Sequence, residues 1–135
     1  MAIKASPLTA TRYNFSDDVD PDQESWVEIK PVTGRMEEIR ADLLRTQEVR
    51  FDDQGYPIRR VIVNPYQLEL EEMRLTFGGA NIVVEGEDGK PEKLFPDETM
   101  SRQQFYEDMS KLPLAARKEW VAAVRRNNPV WLYPF

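Results

Sequence analysis

Ten prolines spread over 135 residues are the tightest constraint on how this chain folds. A proline ring fixes φ and removes a backbone donor, so helix interiors and central strands reject it. The chain must therefore be assembled from short elements that stop and start at proline boundaries. A length of 135 residues still allows one domain burying roughly two-thirds of its unfolded surface. A hydrophobic fraction of 41% against 31% charged residues is the balance of a globular chain, not of a disordered one.

Between the prolines, local patterns predict the elements. Residues 1–10 read as a loose arm. Tyr13 and Phe15 alternate with polar residues as in a strand, and Trp26–Lys30 is a second strand with Trp26 and Glu28 on one face, Val27 and Ile29 on the other. The two can pair antiparallel across the acidic loop 17–24. Asp18, Asp20 and Asp22 in that loop imitate the first ligands of a calcium loop. The imitation then fails, because Gln23 stands where glycine is needed and Ile29 where the bidentate glutamate belongs.

Thr33 offers an N-cap. Met36, Ile39, Leu43 and Leu44 follow at helical spacing, predicting an amphipathic helix over 35–48 with Arg35, Glu37, Glu38, Arg45 and Glu48 on its polar face. Asp52–Gly55 is a turn, and Tyr56–Val63 is extended. Tyr66, Leu70, Met73 and Phe77 mark a helix face, with Gly78-Gly79 as its stop. Ile82–Val84 and Lys93–Phe95 flank a hairpin turn at Asp88-Gly89. Ser101 and Gln104 fit a capping box, with Met100 and Phe105 as a hydrophobic staple. Pro113 separates that helix from another, whose inward face is Ala116, Trp120 and Val124 with Leu114 and Val121 beside them. Asn127-Asn128-Pro129 closes it. The expected fold is one α+β domain over residues 1–135, with about four amphipathic helices, a small antiparallel sheet and an aromatic tail at 130–135.

Functional chemistry is bounded first by what is missing. There is no cysteine and no histidine. Disulfides, thiolate nucleophiles, the common zinc sites and Ser-His-Asp triads cannot be built. The glycine pairs lack the lysine-serine or lysine-threonine of a phosphate loop. The carboxylate clusters fall in expected loops or on polar helix faces, where their pKa values stay ordinary. The expectation is a non-enzyme with no catalytic residue, no cofactor and no metal. The formal charge of −6 argues against binding phosphate backbones, and no apolar run approaches a membrane span. Arg102–Phe135 carries six basic and three acidic residues, leaving −9 on the rest. Such asymmetry suits head-to-tail contacts or a basic partner for the front. Trp26, Trp120, Trp131, Tyr133 and Phe135 are the candidate protein-contact residues. The first two suit a core better than a contact, and the last three alternate in an uncharged tail that either folds back or anchors a partner.

The run Glu24-Ser25-Trp26-Val27-Glu28-Ile29-Lys30-Pro31-Val32-Thr33-Gly34-Arg35 resembles the N-terminal strand–turn–helix opening of small tail assembly chaperones of long-tailed bacteriophages. Met73–Ile82, and further on Phe105, Leu112-Pro113, Glu119-Trp120 and Asn128-Pro129-Val130-Trp131, are similar to stretches of small proteins from phage structural-gene clusters. The resemblance implies a binding role. Such chaperones coat the tape-measure protein, contact tail-tube subunits and are absent from the finished particle. It carries over no catalytic residue. The expected location is the host cytoplasm, with possible self-association. The rival readings are a structural virion subunit of the tail or head–tail region, and a small enzyme using carboxylates alone.

Overall fold

The computed structural model describes residues 9–44, 47–61 and 64–131. The elements run β1 (Thr11–Asn14), β2 (Trp26–Ile29), α1 (Gly34–Leu44), β3 (Gln47–Phe51), β4 (Pro57–Val61), α2 (Pro65–Leu75), β5 (Phe77–Glu85), β6 (Pro91–Leu94), α3 (Arg102–Lys111) and α4 (Leu114–Asn127), ending in a 3-10 turn at Pro129–Trp131. The architecture is α+β, as expected: four helices with a four-stranded antiparallel sheet and a separate two-stranded one. The larger sheet has the order β1-β2-β5-β6.

β1 and β2 pair across the acidic loop, Tyr13 opposite Val27. Alternation along β2 is as the pattern required, with Val27 and Ile29 buried and Trp26 and Glu28 half-buried. The buried pair faces a core shared with Met73, Phe77, Leu94, Phe105, Met109, Trp120 and Val124. Four rings sit at its centre. Trp120 lies 5.0 Å from Phe95, 5.8 Å from Phe105 and 6.1 Å from Phe77, mostly in edge or tilted contacts that suit the ring quadrupole. Phe95 has φ 53°, a left-handed conformation costing roughly 1 kcal/mol. Burying its ring in this cluster offsets that cost, and its amide donates to the buried Asp108 at 2.8 Å.

Helix ends follow their side chains. Thr33 Oγ1 accepts from the Met36 amide, and Asn64 Oδ1 from those of Tyr66 and Gln67. Ser101 Oγ accepts from the Gln104 amide at 3.2 Å. The box there is half-made, because the Gln104 side chain turns to Asp108 instead. Asn128 closes α4 through its side chain, donating to Val124 O and accepting from Val32 N.

Three expectations are corrected. The helix predicted over 35–48 ends at Leu44, and Gln47–Phe51 is a strand paired with β4. Asp52 Oδ1 collects the amides of Gln54 and Tyr56, and Gly55 takes φ 83°, which closes a hairpin that the helix reading had run into. Phe77 belongs to β5, not to α2, whose end is sealed at Thr76 by a hydroxyl bond to Glu72 O at 2.7 Å. Gly78-Gly79 is consequently no helix stop. Glu28 pairs with Gly79 and Ile29 with Phe77, so Gly78 is the extra residue of a β-bulge, and a Cβ there would stand 3.3 Å from Glu28 O. Leu114, assigned inward, is 61% exposed at the first position of α4 after the Pro113 N-cap, and the buried face begins at Ala116. The hairpin around Asp88-Gly89 forms as predicted.

Candidate interaction surface

The helices spend their apolar faces internally. Leu68 and Met73 of α2, Phe105 and Met109 of α3, and Ala116, Trp120, Val121 and Val124 of α4 are all buried. Tyr66 of α2 and Leu114 of α4 are the large apolar side chains of these helices that stay strongly exposed. The sequence had left open whether these faces would serve a core or a groove.

The surface apolar residues gather elsewhere. Val49 (51% exposed), Phe51 (70%), Tyr56 (66%) and Ile58 (48%) all belong to the β3–β4 hairpin or its turn. Every residue from 49 to 58 is exposed. Register sets Val49 and Phe51 on one face, opposite Arg59 and Pro57, while Ile58 pairs with Arg50 on the other face. Tyr56, two residues before Ile58, shares that second face. Antiparallel sheets normally pack one face on a core and solvate the other. Here the described side chains, residues 49–58, are exposed on both faces. β3 and β4 form their own two-stranded sheet, and among the described residues neither makes more than slight contact with any other element. Such a ribbon is marginal alone in water and offers unpaired backbone along both edges.

Of the five aromatic contact candidates, Trp120 and Trp131 are fully buried and present no surface. Trp131 folds back. Its indole N–H donates to Glu37, and the Arg40 guanidinium lies 5.1 Å over its ring, so it ties α1 to the end of α4. Trp26 is half-buried, with the Arg12 guanidinium 3.8 Å from its ring centre. Tyr133 and Phe135 lie outside the described residues, as do residues 1–8 of the anticipated N-terminal arm. The structure thus does not bring these five together. Tyr56 and Ile58 were read as extended, but the helix expected over 35–48 left no strand at Val49–Phe51 to pair with them, so the hairpin was missed. The signal was there in the polar–apolar alternation of Gln47-Glu48-Val49-Arg50-Phe51 ahead of an Asp-Asp-Gln-Gly turn.

Not every carboxylate is solvated, which corrects the sequence reading. Glu71 and Glu72 are fully buried. Glu72 takes Arg125 in two bonds of 2.9 and 3.2 Å, with Arg40 Nε at 4.0 Å. Glu71 accepts from Arg74 at 2.8 Å, Arg102 at 2.8 Å and the Tyr106 hydroxyl. Burial alone would raise the Glu71 pKa. Bonds from Arg74 and Tyr106 and the charges of Arg74 and Arg102 outweigh it and hold the group below its ordinary value. Burial and the bond to Glu71 raise the Tyr106 pKa. Glu119 is likewise kept low against burial by the hydroxyl and amide of Ser16 and the hydroxyl of Tyr13, which joins α4 to the segment after β1. The donors around Glu71 and Glu119 favour their ionised forms, and the bonds of Glu71, Glu72 and Glu119 join separate elements. Among the described residues no group of acids is placed to hold a metal ion, and no helix is long and apolar enough to cross a membrane.

These features define a small α+β domain with a sealed core and one solvent-borne apolar hairpin. No protein-family model, curated protein or solved structure matches the chain.

Proposed function

We propose that this protein is a protein-binding assembly factor of a bacteriophage, a tail assembly chaperone that engages the tape-measure protein and tail-tube subunits. One observation carries the binding role: a hairpin with apolar side chains exposed on both faces and no core of its own. Surface of this kind marks an interaction site, and ordering it on a partner removes Phe51 and Tyr56 from water. The phage context rests on the resemblance carried by Glu24–Arg35 and by the later stretches around Phe105, Trp120 and Trp131. A tape-measure protein is a long helix whose apolar stripe needs cover before the tube closes round it. The hairpin offers exposed apolar side chains to that stripe.

The test is a pull-down from infected host lysate with the intact chain and with a Phe51→Ser/Tyr56→Ser variant. The intact chain should recover tape-measure or tube protein, and the variant should lose it. Mass spectrometry of purified particles should find the protein absent. Its presence there at fixed copy number would replace the chaperone with a structural subunit, and recovery of neither protein would sink the tail assignment.

A further inference from the structure

The two edges of the β3–β4 ribbon are not alike. The Asp52 amide donates to Tyr56 O at 2.9 Å, which makes these two a hydrogen-bonded pair at the turn. Bonded and non-bonded pairs alternate along an antiparallel ladder. Arg50–Ile58 and Glu48–Arg60 are therefore bonded pairs, while Phe51–Pro57, Val49–Arg59 and Gln47–Val61 are not. The backbone groups of Gln47, Val49 and Phe51 thus point to the outer edge of β3, and those of Pro57, Arg59 and Val61 to the outer edge of β4. Pro57 has no N–H to give, so the β4 edge is blunted where it leaves the turn. The β3 edge keeps every donor, and among the described residues no strand pairs with it.

We propose that this edge pairs with the same edge of a second copy, antiparallel about a two-fold axis at Val49, giving a four-stranded sheet in the order β4-β3-β3-β4. The residues of β3 select both the partner and the register. With Val49 opposite its own copy, Gln47 and Phe51 form bonded pairs, and Glu48 stands opposite Arg50 on each side of the axis. Opposite charges so placed attract. Sliding by two residues sets Glu48 against Glu48 one way and Arg50 against Arg50 the other, and like charges directly opposite repel. Sliding by one residue sets outward-pointing backbone groups against inward-pointing ones and makes no ladder. On the apolar face the two Val49 side chains meet, with each Phe51 diagonal to the other copy's valine. Two strands alone are marginal in water, whereas three or more with an apolar face sustain themselves. The contact is isologous and closes at two copies. It goes beyond the binding role above, because it uses the ribbon's backbone edge and leaves the side-chain faces to another protein.

The chain has no cysteine, so a single introduced one reports the pairing. In the purified full chain, Val49→Cys should form a disulfide-linked dimer at least about tenfold faster than Asp53→Cys, although both positions are exposed. Position 49 meets its copy across about 5.5 Å, whereas position 53 lies more than roughly 20 Å from its own. In sedimentation velocity the wild type should dimerise, and grow no further, as concentration rises to about 1 mM. Glu48→Arg and Arg50→Glu should each weaken the dimer about tenfold by setting like charges opposite, and an equal mixture should recover it as a heterodimer. Val49→Pro should abolish it without breaking the ladder to β4, because the lost N–H points outward. None of the described core residues lies on the ribbon, so the body of the domain folds in every variant. A wild type monomeric at about 1 mM, equal disulfide rates for the two cysteine variants, or charge variants as dimeric as the wild type overturn the proposal. A monomeric chain that still captures a phage protein through Phe51 and Tyr56 keeps the assigned binding role and loses self-pairing. A dimer that captures none keeps self-pairing and loses the tail assignment.

Discussion

Glu72 is completely buried between two arginines that hold it unequally. Arg125 makes two short bonds, whereas Arg40 reaches only 4.0 Å and leaves Nε and Nη2 without a hydrogen-bond partner. An ill-satisfied buried cation contributes little net stability, while an orphaned one is costly. Arg40→Met should therefore stay within about 1 kcal/mol of wild type in urea denaturation, because Arg125 still neutralises Glu72. Glu72→Leu should cost about 3–5 kcal/mol, because it takes the acid partner from Arg125 and leaves the buried Arg40 only Glu37 at 3.7 Å. Equal costs for the two would contradict this division of the charge.

Other hydrogen-bonded acids and two tyrosines shape the pH range of stability. Glu71 and Glu119 have folded pKa values below the ordinary 4.5, so their contribution is present above that value and is lost as pH falls through the folded values. Tyr13 and Tyr106 have folded values above the ordinary 10.0, so what they contribute is present below it and lost as pH rises through those values. Thermal melts should show a plateau between these limits. Glu119→Gln should flatten the acid limb, and an unchanged limb would show that this carboxylate is not one of the groups responsible.

At the scale of elements, the β3–β4 hairpin and the β2–β5 bulge make opposite predictions. Phe51 and Tyr56 touch no core, so Phe51→Ser/Tyr56→Ser should move stability by no more than about 0.5 kcal/mol while removing binding. Gly78 lies against β2, where a side chain meets Glu28 O and Cβ and the Lys30 stem within 3.4 Å. Gly78→Val should destabilise by about 1–3 kcal/mol, read from the urea midpoint. These two places were also the least legible in the sequence. Elements whose periodicity matched their burial could be read directly: β2 from its alternation, α3 from Ser101, and α4 from Ala116, Trp120 and Val124. The helix face drawn through Phe77 failed because a residue at position 11 of that spacing entered a strand. Spacing alone does not reveal where Thr76 turns the backbone. The glycine pair was ambiguous for the same reason, since a helix stop and a bulge both ask for glycine.

For the molecule as a whole, tertiary placement decided what could touch a partner. Composition exposed the want of imidazole and thiol, and it identified the aromatic residues. It could not say that Trp131 would be drawn beneath Arg40, or that the largest apolar exposure would fall on a ribbon detached from the main sheet. The buried arginine–glutamate network was equally hidden, because charged residues on a helix read as a solvated face until other helices cover them. Among the described residues, ion pairs and aromatic contacts join α1, α2, α3 and α4, while the β3–β4 hairpin stays exposed.

A photo-crosslinking amino acid placed at position 51 in infected cells tests that division most directly. The account predicts a covalent product linking this chain to a tape-measure protein, a tail-tube protein or a second copy of itself, with no such product from a probe at the exposed position 87 on the other hairpin. A probe at 51 that captures no protein, while the chain is present and folded, would contradict it.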